Sequence, residues 1–194
     1  MKHSPLYTIL FAAALGVACA GLLTVVRELT ANRSEANRLA ERTRHILDVL
    51  GIDRSGAETS DEILALYREH VRPDRPENPT SYARLEPDGK VKAVAYPFSG
   101  TGLWGPIKGY VALDPDSRTI LSVTFYEQTE TPGLGGNIVT HEFRSQFEGM
   151  RIPIRNGRAE LPIHAISGAT MTSRRVEAML DQAVGRILKE GHRP

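Results

Sequence analysis

Four hydroxyls stand within seven residues at Ser167-Gly168-Ala169-Thr170-Met171-Thr172-Ser173, with Arg174 and Arg175 directly behind them. If a helix begins here, its first backbone N–H groups lack intrahelical partners and sit at the positive end of the dipole, which makes the stretch a phosphate cradle. The same hydroxyls also suit an N-cap, which needs no ligand, and on the residues alone both readings stand. Two other stretches, 99–106 (SGTGLWGP) and 130–136 (ETPGLGG), allow positive φ and close backbone approach, and each by itself reads as a turn between strands. The P-loop lysine and the G-x-G-x-x-G fingerprint are missing, so a standard nucleotide site is excluded and a smaller phosphate-bearing cofactor is favoured. Cys19 is the single cysteine, which rules out an internal disulfide, a thiolate-held iron–sulfur cluster and a Cys-x-x-Cys-His haem attachment. No catalytic residue and no metal ligand is assigned, because no nucleophile–His–acid set and no ligand spacing is present. Electron transfer by this chain requires an organic cofactor.

The charge balance narrows the partners. The 24 Lys and Arg against 23 Asp and Glu leave a net charge of +1, too little surplus for a nucleic-acid partner. Apolar residues are unevenly placed: Leu6 to Val26 runs 21 residues without a charge, enough for roughly 30 Å of hydrocarbon as a helix. Small residues before position 21 would suit signal cleavage, but the run continues through Leu22, Leu23, Val25 and Val26, so an uncleaved transmembrane anchor is expected. Cys19 reads as a small residue of that span rather than a lipid attachment site.

Helices and strands elsewhere in the chain must position the cradle. Ala36, Leu39, Ala40, Thr43, Ile46, Leu47 and Leu50 repeat at helical spacing and predict a stalk continuing the membrane helix; Gly51 stops it. Residues 61–71 predict a short helix with Ser60 as N-cap, and 72–80 (RPDRPENPT) a linker. Segments 90–97, 107–113 and 118–126 are short and rich in β-branched and aromatic residues, and predict strands. A helix is expected near 140–149, and a C-terminal one carrying Val176, Met179, Leu180, Ala183, Val184, Ile187 and Leu188 as one stripe. The expectation is an α+β fold: a single transmembrane helix over 1–29, a helical stalk and linker over 30–79, and an α+β domain with a mainly antiparallel sheet over 80–194.

Taken together and in order, Gly102-Leu103-Trp104-Gly105-Pro106, Glu130-Thr131-Pro132-Gly133-Leu134-Gly135-Gly136 and Ser167-Gly168-Ala169-Thr170 resemble the FMN-binding domain family of membrane redox complexes. The resemblance is strongest to the C-subunit family of the sodium-translocating NADH:quinone oxidoreductase, with the G-subunit family of the Rnf complex next. It implies an electron-transfer subunit, not catalytic alone, whose partners are the other subunits of an ion-translocating oxidoreductase. It also implies FMN joined through its phosphate to the Thr170 hydroxyl by a flavin transferase, with Ser167, Gly168, Ala169, Thr172 and Ser173 around the attachment. Thr131 and Leu134 would touch the isoalloxazine, with Glu130 and Gly133 shaping the loop beside it. Trp104 has two readings, a flavin contact or core packing in a strand pair. The transferase pattern has an acidic residue six positions before the modified threonine, where this chain has His164. That departure motivates the alternative of a membrane-anchored assembly or binding protein with a degenerate flavin site. Orientation divides the two lines of argument. Arg27, Arg33, Arg38, Arg42 and Arg44 outnumber Lys2 and the amino terminus and would keep the domain in the cytoplasm. The resemblance places it on the periplasmic side of the bacterial inner membrane, and that placement is the one expected here.

Overall fold

The structure, a computed structural model, describes residues 5–190. Lys2 and residues 191–194, invoked for orientation and for the last domain, lie outside the described residues. Helix α1 runs Pro5–Val49 without a break. The chain divides into two compact units at Leu39/Ala40. In the first, Pro5–Glu28 is the one helical segment among the described residues long and apolar enough to cross a membrane, and its side chains are exposed, with Tyr7 stacked near Phe11 at 6.4 Å.

The second unit is built on a six-stranded antiparallel sheet whose strands follow chain order: β1 (Val71–Pro73), β2 (Tyr82–Leu85), β3 (Val91–Thr101), β4 (Pro106–Leu113), β5 (Thr119–Glu127) and β6 (Met150–Arg151). Successive side chains on a strand point to opposite faces, and here both faces are covered. From β4, Ile107, Val111 and Leu113 face the core formed with α4 (Thr170–Glu190), while Tyr110 and Ala112 face the other core, formed by Ile46, Leu47 and Leu50 at and beyond the end of α1 and by Ile63 of α2 (Ser60–His70). A register shift between Ala112 and Leu113 opposite β5 lets both Ile120 and Val123 enter the α4 core. Helix α4 buries Val176, Met179, Leu180, Val184 and Ile187, the expected stripe; Leu188 stays exposed.

Several boundaries differ from the sequence expectation. The stalk does not extend to position 79. Residues from Ala40 onwards belong to the sheet-bearing unit, because Ile46, Leu47 and Val49 supply part of its core. The linker contains strand β1, which pairs with β2, itself unexpected; the intervening loop is tied by Asp74, whose carboxylate accepts from Thr80 N, Thr80 Oγ1 and Ser81 N at 2.6–3.0 Å. The N-cap of α2 is Thr59, not Ser60. Its hydroxyl accepts from Glu62 N while the Glu62 carboxylate accepts from Thr59 N, a reciprocal capping box. The helix near 140–149 is shorter than expected: a 3₁₀ turn at Gly135–Val139 leads into α3 (His141–Ser145). A small hairpin, β7 (Ile154–Arg155) with β8 (Arg158–Ala159), completes the elements.

His45, near the end of α1, sets its Nδ1 2.9 Å from Thr124 Oγ1 on β5. Burial holds the imidazole below its ordinary value of 6.5 against the opposing pull of Glu41 and Asp48, with Arg144 and Arg54 acting in the same sense as burial. The native state therefore binds a proton at His45 less readily than the unfolded chain, so this contribution to stability is present above the unfolded pKa and is lost as pH falls from there through the lower folded pKa. Urea midpoints measured between about pH 8 and pH 5 should drop below about pH 6.5, and His45→Gln should flatten that dependence.

Candidate functional site

One buried side chain brings the three glycine-rich stretches together. Glu130 is 4% exposed; its Oε1 accepts the N–H of Leu103 (2.7 Å) and of Trp104 (3.1 Å), and its Oε2 accepts the hydroxyl of Thr172 (2.6 Å). Such charge-assisted bonds are among the strong ones, and a buried carboxylate needs them. Glycines make the room. A Cβ on Gly102 would collide with Oε1, and one on Gly135 would lie 2.8 Å from Oε2 and 2.7 Å from Thr172 Oγ1. The Glu130 backbone N–H in turn donates to the Gln128 side chain at 2.7 Å.

Around that junction each stretch has its own local reason for its shape. Gly102 N donates to Gly105 O (2.7 Å), closing the turn between β3 and β4 that carries Leu103 and Trp104. Gly133 has φ +77°, and the Thr131 carbonyl accepts from both Leu134 N (3.1 Å) and Gly136 N (2.9 Å). Gly168, at φ +76°, lies against Leu134, whose Cδ2 would be 3.1 Å from an added Cβ. At the start of α4 the four hydroxyls divide. Thr172 and Ser173 are buried, Thr172 donating to Glu130 and Ser173 donating to Ala169 O (3.1 Å) while accepting from Ile166 N (3.0 Å). Ser167 and Thr170 are exposed. The hydroxyls thus have different roles: Thr172 and Ser173, inside the first turn of α4, bond to Glu130 and to the Ile166–Ala169 segment and brace the protein, and Thr170 faces outward. Arg175 donates to Thr101 O at the end of β3 (3.3 Å), and Arg174 is exposed.

A cleft of about 330 Å³ opens between the 103–104 turn, residues 130–135 and residues 168–172. Its rim is apolar and open to solvent: Trp104 is 70% exposed, Met171 57%, Leu103 45% and Leu134 45%. Single exposed apolar residues are ordinary, but four around one helix start mark a ligand or partner surface. Trp104 is therefore not the core residue of a strand pair. Of the residues expected by resemblance, Trp104, Glu130, Thr131, Leu134, Gly168, Ala169, Thr170 and Thr172 line the cleft, and Gly133, Ser167 and Ser173 adjoin them in the chain; the lining residues that sequence reasoning missed are Leu103, Gly135 and Met171. A planar apolar group ending in a phosphate, such as FMN, fits this donor set, the rim covering a ring and the α4 start receiving an anion. His164, six positions before Thr170, is exposed, and its backbone N–H donates to the Gln146 side chain (2.7 Å). A larger polar cleft of about 720 Å³ beside Tyr96 and Arg186 holds none of the expected site residues. Because Gly102 touches the Glu130 carboxylate, Gly102→Ala should cost about 1–3 kcal/mol of stability, read as a lower urea midpoint.

Comparison with known proteins covers the same segment of the chain. Residues 102–185, which include Trp104, Glu130 and Thr170, match the family described as FMN-binding domain. The chain is 38% identical over 104 residues to the C subunit of Na(+)-translocating NADH-quinone reductase from Neisseria meningitidis, a match covering 46% of this chain and 40% of the relative. It is 32% identical over 146 residues to the protein of the same name from Vibrio alginolyticus, covering 69% of this chain and 55% of that one. The chain thus spans about half or less of the length of these curated relatives. The crystal structure of Shewanella oneidensis NqrC superposes with a TM-score of 0.66 at 22% identity, covering 80% of this chain and 100% of that one. The chain is similar in sequence to the C subunit of Na(+)-translocating NADH-quinone reductase, shares its α+β fold, and carries in residues 102–185 a segment similar to the FMN-binding domain family.

Proposed function

We propose that this chain is a single-pass, membrane-anchored electron-transfer subunit that carries FMN as a phosphoester on the Thr170 hydroxyl. The observation that carries the reading is the division of hydroxyls at the start of α4: Thr172 and Ser173 are engaged inside the protein, and Thr170 is exposed at the mouth of an apolar-rimmed cleft. FMN held there supplies reversible electron transfer in one-electron steps. The chain's own residues bind and orient it. The N–H groups at the start of α4 and the Ser167 hydroxyl favour the phosphate, Leu134, Leu103 and Trp104 exclude water from the ring, and Thr131 offers a hydroxyl to a ring edge. In this reading the chain passes electrons between partner subunits and does not catalyse a reaction alone.

The names of the relatives support a place in a sodium-translocating NADH:quinone oxidoreductase rather than an Rnf complex. In this reading its other subunits are the electron partners and a flavin transferase matures the chain. Segment Pro5–Glu28 is the anchor in the bacterial inner membrane, with the flavin-bearing unit on the outer side. The direct test is co-expression with a flavin transferase followed by a denaturing gel: the chain should fluoresce as a flavoprotein, and Thr170→Ala should abolish the signal. Fluorescence that survives in that variant contradicts the attachment site. His164→Asp, which restores the acidic residue of the transferase pattern, should raise the flavin-to-protein absorbance ratio of the purified chain.

A further inference from the structure

Glu130 is the only residue lining the cleft that carries a charged side chain; among the described residues no lysine, arginine or histidine lines it. Its carboxylate is almost wholly removed from water, and its partners are three dipoles, the N–H groups of Leu103 and Trp104 and the Thr172 hydroxyl. Dipoles solvate a charge without cancelling it. Burial also removes most of the screening that water and salt would provide, so the negative field persists across the cleft. Reduction of a flavin adds electron density to its ring, and a fixed negative charge nearby opposes that gain. We infer that Glu130, besides joining the three loops, is a fixed anion that lowers the reduction potential of the flavin held in this cleft; the inference rests on the flavin reading above.

The test uses the full chain co-expressed with a flavin transferase and titrated with dithionite, as electron donor, against a reference dye. In Glu130→Gln the amide oxygen can still accept from Leu103 and Trp104, and its NH₂ group can face Thr172 Oγ1, so the loops stay joined while the charge is gone. The ratio of reduced to oxidised flavin at a fixed poise should rise severalfold, a shift of the midpoint to more positive potential. Thr172→Val keeps the charge and removes one of its three donors, so its midpoint should move the other way. A purely structural role would move both variants in the same direction. An unchanged or more negative midpoint in Glu130→Gln, or parallel shifts in the two variants, overturns the inference. Should Glu130→Gln retain no flavin, Thr172→Val decides: a more negative midpoint supports the fixed anion, and an unchanged or more positive one contradicts it. A wild-type chain that takes up no flavin contradicts the functional reading and the inference with it.

Discussion

The site depends on one buried carboxylate. Glu130 accepts three hydrogen bonds from two segments far apart in sequence, the 103–104 turn and the first turn of α4, and its own loop is the third party to the junction. An unpaired charge in the same place would cost several kcal/mol, so the three loops are held at a mutual distance set by the length of one glutamate side chain. Gly102 and Gly135 are the counterpart of that constraint, since any side chain there would occupy the space of the carboxylate oxygens. The cleft, its apolar rim and the outward-facing Thr170 follow from this arrangement.

The sheet delivers the partners to Glu130. Strands β3 and β4 pair from Val94↔Leu113 out to Thr101↔Pro106, so the turn beyond them reaches past the sheet edge with Leu103 and Trp104 at its tip. Helix α4 is fixed against the same sheet by its buried stripe, and Met179 lies against Gly100, where a Cβ would be 2.6 Å from its Cγ. The helix start is thereby placed beside the turn without a direct covalent link between them. On the opposite face a second core, with Tyr67, Tyr82, Tyr110 and Tyr126 ringed edge to edge or tilted at 5.0–6.4 Å, closes the sheet against the last turns of α1 and α2. Both faces being buried, a one-residue slip of a central strand would exchange the side chains facing the two cores and mismatch the packing of both, which pins the register on which the turn geometry rests.

Much of this was legible in the sequence. The central strands β3, β4 and β5 showed themselves through β-branched and aromatic runs, and α4 through a stripe of seven apolar residues at helical spacing, because in both cases burial imposes a period. Strands β1 and β2 were not legible: they have only three and four residues, and Pro73 reads as a breaker although it sits where the edge strand β1 tolerates it. The split of the α1 pattern at Leu39/Ala40 was hidden for the opposite reason, since a helix that continues through a domain boundary keeps the same period on both sides. At the site, the order of the three motifs pointed to the three loops that meet at the cleft. What spacing alone does not encode is which hydroxyl faces inward; that is decided by Glu130 and Ile166, whose bonds turn Thr172 and Ser173 inside.

That division of hydroxyls is the central claim, and peptide mapping by mass spectrometry of the flavin-loaded chain tests it most directly. Trypsin releases the segment between Arg158 and Arg174, which contains Ser167, Thr170, Thr172 and Ser173 together. Fragmentation should place the mass of FMN on Thr170 alone. FMN on Ser167, Thr172 or Ser173, or on no residue of that peptide, would contradict the account.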